Sequence, residues 1–341
     1  MSARFVLSTI FVLLVSACAF AADVAQEVRD KEAAVAKAPN DAAALCELAS
    51  AYRKAARLDD SAAAARRAIA ADPKSAEAHH QLALTLKEKG EFAKAIAEWD
   101  AALALDATFY KAPYNIGVTH HDWADQLIAE SEDLKAKRRR QEAADKLKEA
   151  EDHIAQAKAA WEATLKLKAD HAGATFNLGV VEHEHDRFAE AEVLYRKAIE
   201  LDPKHVKAHV NCGLCLAQLK RGDEALDMWK KALAIDPKVF EAHYNIGVVL
   251  SQKKQNKEAI AAWEIAAGIL EPQKKDVEAS KNARAIGSFK ENLSNCYYNM
   301  GIAYEALADK KRAEEYLKKA TEVDPNFDEA SQALRALQRG N

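Results

Sequence analysis

The sequence predicts an all-α fold, an α-solenoid of repeated helix pairs, and three observations lead to this prediction. Large aromatic residues recur every 34 positions, at Trp161, Tyr195, Trp229 and Trp263. An asparagine recurs at the same step, at Asn177, Asn211 and Asn245. Glycine and proline are scarce, with 11 and 7 among 341 residues, which favours helix throughout. A fixed period of this size indicates a stacked array of small helical units instead of one globular core.

Residues 1–21 are predicted to be an export signal. Arg4 supplies a positive start, residues 5–15 are almost entirely apolar, and small residues follow. Cleavage after Ala21 would release a soluble periplasmic protein. Alternatively, residues 15–18 resemble a lipoprotein box in which Cys18 is lipidated and anchors the chain to the outer membrane. No other segment has the roughly 20 apolar residues that span a bilayer, so a membrane is contacted only through this possible lipid anchor.

Two consecutive 34-residue segments, 171–204 and 205–238, show the repeated unit. Each has an apolar-periodic helix, a polar turn near Asp186 or Gly222, a second helix, and an Asp-Pro-Lys stop. Gly179 and Gly213 lie inside first helices, where glycine costs up to about 1 kcal/mol. We therefore expect a close helix crossing there that any Cβ would block. The alanines that open the second helices, at 191 and 225, are expected on the opposite side of this contact.

The unit resembles the tetratricopeptide repeat (TPR) family. The residues that carry the resemblance are Leu178, Gly179, Ala191, Tyr195, Ala198 and Pro203 in one repeat, and Gly213, Ala225, Trp229, Ala232 and Pro237 in the next. The resemblance implies a right-handed solenoid whose first helices line a concave surface, and it implies protein partners. The asparagine series is also similar to the asparagine ladder in the repeats of O-GlcNAc transferase.

The predicted order after the signal is a solenoid over 22–341. Its parts are a half repeat at 22–41, repeats near 42–75, 76–109, 110–171, 172–205, 206–239, 240–293 and 294–327, and a capping helix at 328–338. Two insertions break the period. The first, about 124–153, is predicted to be a helical hairpin that extends both helices of its repeat. The second, about 274–293, is predicted to lengthen the first helix of the last repeat.

The candidate peptide-binding site is one stripe along the first helices. Its asparagines are Asn115, Asn177, Asn211, Asn245 and Asn299. Helical spacing places beside them the aliphatic residues Val118, Val180, Leu214, Val248 and Ile302, and the aromatic residues Tyr114, Phe176, Tyr244 and Tyr298. An amide offers one acceptor and two donors, so it can bond the backbone of a bound peptide. Alternatively, these asparagines serve neighbouring helices.

A basic tip is predicted where the hairpin turns. It consists of Lys135, Lys137, Arg138, Arg139 and Arg140. Such a cluster could dock anionic headgroups or an acidic partner, or it is simply a solvated helical turn.

No catalytic residue, cofactor or metal is predicted. Cys212 and Cys215 form a C-x-x-C without the preceding strand of a redox motif, which favours a packing role. His121 and His183 end adjacent first helices and could lie close together, but His183 and His185 are two residues apart and do not share a helix face. These histidines are therefore interpreted as solvated helix ends. The net charge of −4 argues against nucleic acid as a partner.

The predicted function is a non-catalytic protein-interaction scaffold that binds an extended partner segment in its concave groove. The alternative is an assembly or pilot factor of a cell-envelope machine, such as a pilus, secretion or motility complex. That factor would bind through its convex face and the hairpin.

Overall fold

A computed structural model describes residues 22–280 and 282–339, and every regular element in these residues is a helix. The predicted export signal and Cys18 lie outside the described residues. The helices are α1 (22–37), α2 (Ala42–Lys54), α3 (Leu58–Ala71), α4 (Ala76–Glu88), α5 (Phe92–Leu105), α6 (Lys111–Ala136), α7 (Arg140–Leu167), α8 (Ala172–Glu184), α9 (Phe188–Leu201), α10 (Val206–Gln218), α11 (Gly222–Ile235), α12 (Phe240–Gln252), α13 (Asn256–Leu270), α14 (Lys274–Ala279), α15 (Ala283–Ala306), α16 (Lys310–Val323) and α17 (Asp328–Arg339). None of the described helices is long and apolar enough to cross a bilayer.

The chain divides into two compact units, the first ending at Ala174 and the second beginning at Thr175. In unit 1, α2 pairs with α3, α4 with α5, and α6 with α7. Its core contains many alanines with no exposed surface, among them Ala49, Ala65, Ala83 and Ala95. Alanine combines the highest helix propensity with a small side chain, so neighbouring helices pack closely without losing helicity.

Unit 2 repeats this pairing. Helix α10 packs on α11, α12 on α13, and α15 on α16, and α17 covers the end of α16. One core cluster lies around Tyr195 and Trp229, and a second lies around Trp263 and Leu317. The polar outer side of α17, which buries only Ala330 and Leu337, is what a terminal repeat needs for solubility.

Each first helix ends with one residue in the left-handed conformation. These residues are Ala56, Gly90, Arg138, Asp186, Lys220, Lys254 and Ala308. At the turn into α11, the Lys220 N–H donates to the Ala217 carbonyl at 3.0 Å, and the Arg221 N–H donates to the Leu216 carbonyl at 2.8 Å. These bonds satisfy carbonyls that the helix end would otherwise leave unpaired. The turn lies next to Gly222, as predicted, and Gly222 is the first residue of α11.

The glycines inside first helices mark close crossings, as predicted. A Cβ built on Gly179 would lie 2.8 Å from Tyr195 Cε1, and one on Gly213 would overlap the Trp229 indole. The nearest atoms therefore belong to these rings and not to the alanines at 191 and 225 that the sequence suggested. The Trp229 indole N–H also donates to the Val210 carbonyl at 3.0 Å, which fixes the ring against the glycine.

The first insertion is a helical hairpin. Helices α6 and α7 are 26 and 28 residues long and turn at residues 137–139. Between them Ala124, Leu127 and Ala150 are at most 2% exposed and form a small core of their own. Small residues bring the two helices close together, and larger ones such as Ile154 flank the seam.

The second insertion differs from the prediction that it simply lengthens the next first helix. After α13 the chain forms a 3₁₀ turn at Glu271–Gln273 and the short helix α14. Pro272 lies in the 3₁₀ turn, where its missing N–H removes a helix hydrogen bond. Helix α15 then starts afresh at Ala283, and the side chain of its N-cap Asn282 accepts from the Ala285 N–H at 3.1 Å. Only the later part of the insertion therefore extends α15.

Candidate peptide-binding face

The predicted stripe in unit 2 lies on the first helices α8, α10, α12 and α15. We call it the asparagine face, comprising Asn177, Asn211, Asn245, Asn299, Val180, Leu214, Val248 and Ile302. All of these residues are half-buried except Ile302, which is 36% exposed. The face is continuous from α10 to α15, because α10 packs on α12 and the Asn299 amide reaches the Tyr244 hydroxyl on α12. Asn115 and Val118 hold the same positions on α6 of unit 1 and are also half-buried.

The asparagine amides fall into two groups. Asn299 Nδ2 donates to the Tyr244 hydroxyl at 3.2 Å, and Asn211 Nδ2 donates to the Tyr195 hydroxyl at 3.4 Å. Asn115 Nδ2 donates to the Lys111 carbonyl of its own helix at 2.7 Å. Within the described part of the chain, no hydrogen bond engages the amides of Asn177 and Asn245. Three asparagines of the row therefore bond groups of their own chain, and the peptide-binding role of the row stays a prediction.

The aromatic residues beside the asparagines pack mainly at the junctions between repeats. Phe176 lies 4.6 Å from the His205 ring, and Tyr298 lies 5.1 Å from the Phe327 ring. Tyr114 lies 4.5 Å from His171 in the same way within unit 1. Each partner immediately precedes or begins the next first helix, so these rings set the spacing of successive repeats and present only part of their surface.

Tyr244 combines packing with polarity. Its ring stacks on Phe240 at 5.8 Å, and its hydroxyl accepts the hydrogen bond from Asn299. Burial raises the pKa of the Tyr244 phenol, so the group is neutral at physiological pH. Its contribution to a ligand site is therefore an uncharged one.

The equivalent face of unit 1 is charged, and its charges are paired across repeats. Arg53 pairs with Glu88 at 2.8 Å, and Lys87 pairs with Asp122 at 2.7 Å. Lys111 pairs with Glu77 at 3.0 Å. A cleft of about 450 Å³ lies on this side of α2 and α4. Its lining includes Cys46, Glu47, Ser50, Glu77 and Gln81.

The basic tip is partly neutralised. Lys137 pairs with Asp133 at 2.6 Å, and Arg139 pairs with Glu142. Lys135, Arg138 and Arg140 are exposed, and no ion pair joins them to another described residue. Three of the five predicted cations therefore face solvent without a counter-charge.

The cysteines are free and buried. Cys212 and Cys215 have no exposed surface, and burial raises their thiol pKa to about 11 and about 12. Thiols in this state are poor nucleophiles and poor metal ligands. Among the residues that the structure describes, no group of three or more His, Cys, Asp or Glu side chains has a geometry that could hold a metal.

A contact between two buried histidines was not predicted from the sequence. His120 Nδ1 and His153 Nδ1 lie 2.9 Å apart between α6 and α7, and Trp123 stacks on His153 at 4.2 Å. Burial lowers the pKa of both histidines, that of His120 to about 4. The burial of His153 could have been predicted from helical spacing, because His153 lies on the same helix face as the buried Ala150 and Ala157.

The chain belongs to the tetratricopeptide repeat family. Profiles described as "Tetratricopeptide repeat" match residues 64–97, 142–206 and 294–327, and a profile described as "TPR repeat" matches residues 216–254. Together they cover about half of the chain and include parts of both units. No curated protein sequence matches the chain.

The chain is also similar to solved structures of tetratricopeptide repeat proteins. The C-terminal part of a TPR repeat-containing protein from Cytophaga hutchinsonii matches over 85% of this chain and 99% of that chain, at a TM-score of 0.58 and 14% identity. A TPR protein from Parabacteroides merdae matches over 87% and 99%, at 0.47 and 15%. YrrB, described as a TPR protein with an unusual peptide-binding site, matches over 67% and 99%, at 0.43 and 24%. The first of these supports the all-α, helix-pair fold class. TPR proteins typically act as non-catalytic scaffolds for protein partners, which is the general function that family membership supports here.

Proposed function

We propose that the asparagine face of unit 2 binds an extended segment of a partner protein. The observation that carries the proposal is the pair Asn177 and Asn245, half-buried residues whose amides have no hydrogen-bond partner in the described chain. These amides are not enclosed by the protein, so a ligand can reach them and supply the missing partners.

The chemistry of the amide fits a peptide backbone. One carboxamide accepts from an N–H and donates to a C=O, as an edge strand would. Each aliphatic residue of the face follows its asparagine by three positions on the same helix, and these residues would contact the side chains of the segment. Backbone hydrogen bonds would then provide affinity, and the aliphatic contacts would provide selectivity.

The test is a peptide selection followed by affinity measurement. Linear peptides displayed on phage are selected on the full-length protein, and one enriched peptide is synthesised with a fluorophore. The double variant Asn177→Ala/Asn245→Ala should weaken its binding at least tenfold while the helical circular dichroism is unchanged.

The matched control is Lys230→Ala/Lys257→Ala, which alters second helices only. It should bind like the parent protein. Equal binding by the asparagine variant would remove the amides from the mechanism. Failure of the parent to enrich any peptide would remove the function itself.

A second candidate is an assembly or pilot role in an envelope complex through the hairpin. It is favoured by Lys135, Arg138 and Arg140, which are exposed and unpaired at the tip. Replacing these three by glutamate, or deleting residues 124–153, should abolish that association and leave peptide binding intact. Loss of peptide binding in the charge variant would contradict the separation of the two sites.

We also propose export, to the periplasm or to the outer membrane through a lipidated Cys18. The support is the signal-like composition of residues 1–21. Mass spectrometry of the N-terminus of the protein isolated from its native cells distinguishes cleavage after Ala21 from lipidation at Cys18. An intact Met1 would contradict both.

A further inference from the structure

Two first helices of unit 2, α10 and α12, carry almost no charge. Helix α10 has one ionised residue, Lys207, and α12 has one, Glu241. The first helices on either side of them carry acidic residues near their C-terminal ends, Glu182 and Glu184 on α8 and Glu305 on α15. The second helices that follow α10 and α12 carry more charge, with five charged residues in α11 and three in α13. Since 30% of the whole chain is charged, the low charge is a property of these two helices.

The two charges of α10 and α12 lie at one edge of the face. Lys207 and Glu241 are each the second residue of their helix and are exposed. They are opposite in sign, so the edge has no net charge. Beyond them the same stripe continues through Ala217 and Gln218 on α10 and Ser251 and Gln252 on α12, all of which are uncharged.

Unit 1 provides an internal comparison. At the corresponding positions of its first helices stand the ion pairs between Arg53 and Glu88 and between Lys87 and Asp122. Gln218 and Gln252 follow the asparagine position of their helices by seven residues, as Glu88 follows Gln81 and Asp122 follows Asn115. Within unit 2, Glu184 on α8 and Glu305 on α15 also occupy these positions, seven and six residues after their asparagines. The repeat framework therefore accepts charge there, and its absence on α10 and α12 does not follow from the fold.

We infer that the segment bound by the asparagine face is uncharged and carries aliphatic side chains where it crosses α10 and α12. This inference rests on the proposed peptide-binding function. A charged side chain placed against Leu214 or Val248 would lose water and find no counter-charge, which is costly. An aliphatic side chain loses only unfavourable contact with water at the same place. The amides bond the backbone whatever its side chains are, so charge discrimination falls to the rest of the face.

The experiment compares the charge of selected peptides. Twelve-residue random peptides on phage are enriched on the full-length protein and on the variant Gln218→Lys/Gln252→Lys. Both substituted residues are exposed, so the variant should fold like the parent, which circular dichroism checks. The parent should enrich peptides with no ionised residue over at least five consecutive positions. The variant should enrich peptides with Asp or Glu in that stretch.

A synthetic pair then measures the effect directly. Replacing one central aliphatic residue of the best parent-selected peptide by Asp or by Lys should raise Kd about tenfold or more in both cases. Enrichment of charged peptides by the parent, or unchanged Kd for either substituted peptide, overturns the inference while the proposed function stands. Absence of any enrichment overturns both.

Discussion

At the residue scale, glycines inside helices leave the space that large aromatic rings of the neighbouring helix fill. Gly213 stands where the Trp229 indole lies against the backbone of α10, and Gly247 stands in the same relation to Trp263. Each indole N–H bonds a carbonyl three residues before its glycine, at Val210 and Tyr244. Glycine is unfavourable within a helix, but here it admits a fully buried tryptophan. The large residue and its glycine therefore form one packing unit.

Gly213→Ala should destabilise the protein by about 1–3 kcal/mol, because the added methyl overlaps the indole and the ring cannot move without losing its hydrogen bond. The measurement is urea unfolding followed by circular dichroism. Gly268→Ala is the control, since a Cβ there meets nothing within 4 Å. That substitution should stabilise by about 0.5–1 kcal/mol through helix propensity. A loss of stability at both sites would show that space is not the cause.

The turns between paired helices, by contrast, mostly lack glycine where it would be favourable. Six of the seven left-handed residues in the described chain are not glycine. Lys220→Gly should stabilise the protein by about 0.5–1 kcal/mol, because a side chain in this conformation is strained and glycine is not. Lys231→Gly, in the body of α11, should destabilise it by a similar amount. Melting temperatures of the two variants should move in opposite directions. A fall in both would mean that Lys220 is not strained.

At the element scale, the hairpin of α6 and α7 has a polar pair in its apolar seam. The two imidazoles of His120 and His153 face each other at 2.9 Å, which requires one nitrogen to carry a hydrogen and the other to accept it. A second proton at this point would set two N–H groups against each other. Glu149 and Asp152 near His153 oppose the effect of burial only in part. The pair is thus built for neutral rings.

The hairpin should therefore lose stability in acid. The folded pKa of His120, about 4, lies below its ordinary value of 6.5. Its stabilising contribution is present above pH 6.5 and is lost as pH falls towards 4, and linkage gives about 2 kcal/mol lost at pH 5. His120→Gln/His153→Gln should lose less stability than the parent between pH 7 and pH 5 in urea unfolding. Equal losses would show that these rings do not titrate on unfolding.

At the scale of the whole molecule, the core is distributed along the chain in separate clusters within each unit. In an array of this kind each repeat is stabilised by its neighbours and not by one common core. Gly247→Ala should therefore act locally. Hydrogen exchange followed by mass spectrometry should show faster exchange in α10 to α13, and α2 to α5 should be unchanged. Faster exchange throughout the chain would indicate a single cooperative unit.

Much of the fold could be predicted from the sequence, because the 34-residue period carries both helix length and helix register. Six first helices start within one residue of the predicted starts, from Ala42 to Phe240. The start of α15 could not be located, because it depends on Pro272 and on the Asn282 cap, which lie in an insertion without a repeat to align. Periodicity fixes what recurs and gives no information on what is inserted.

The candidate site was predictable in position and less so in role. The row of asparagines follows from spacing alone. Which amides are engaged depends on a tyrosine hydroxyl elsewhere, namely Tyr195 for Asn211 and Tyr244 for Asn299. The sequence shows these tyrosines but not that their hydroxyls reach the amides. Likewise the aromatic residues beside the asparagines were expected to face a ligand, and the sequence did not show that Phe176 and Tyr298 also pack on the next repeat.

The state of the thiols has a consequence for biosynthesis. All four cysteines of the described chain are reduced and buried, so no covalent cross-link supports the fold. Should the chain fold in an oxidising compartment, each thiol is exposed only until its helix pair docks. Chains that remain unfolded there would form non-native disulfides. Neighbouring repeats therefore have to pack together before their thiols are oxidised.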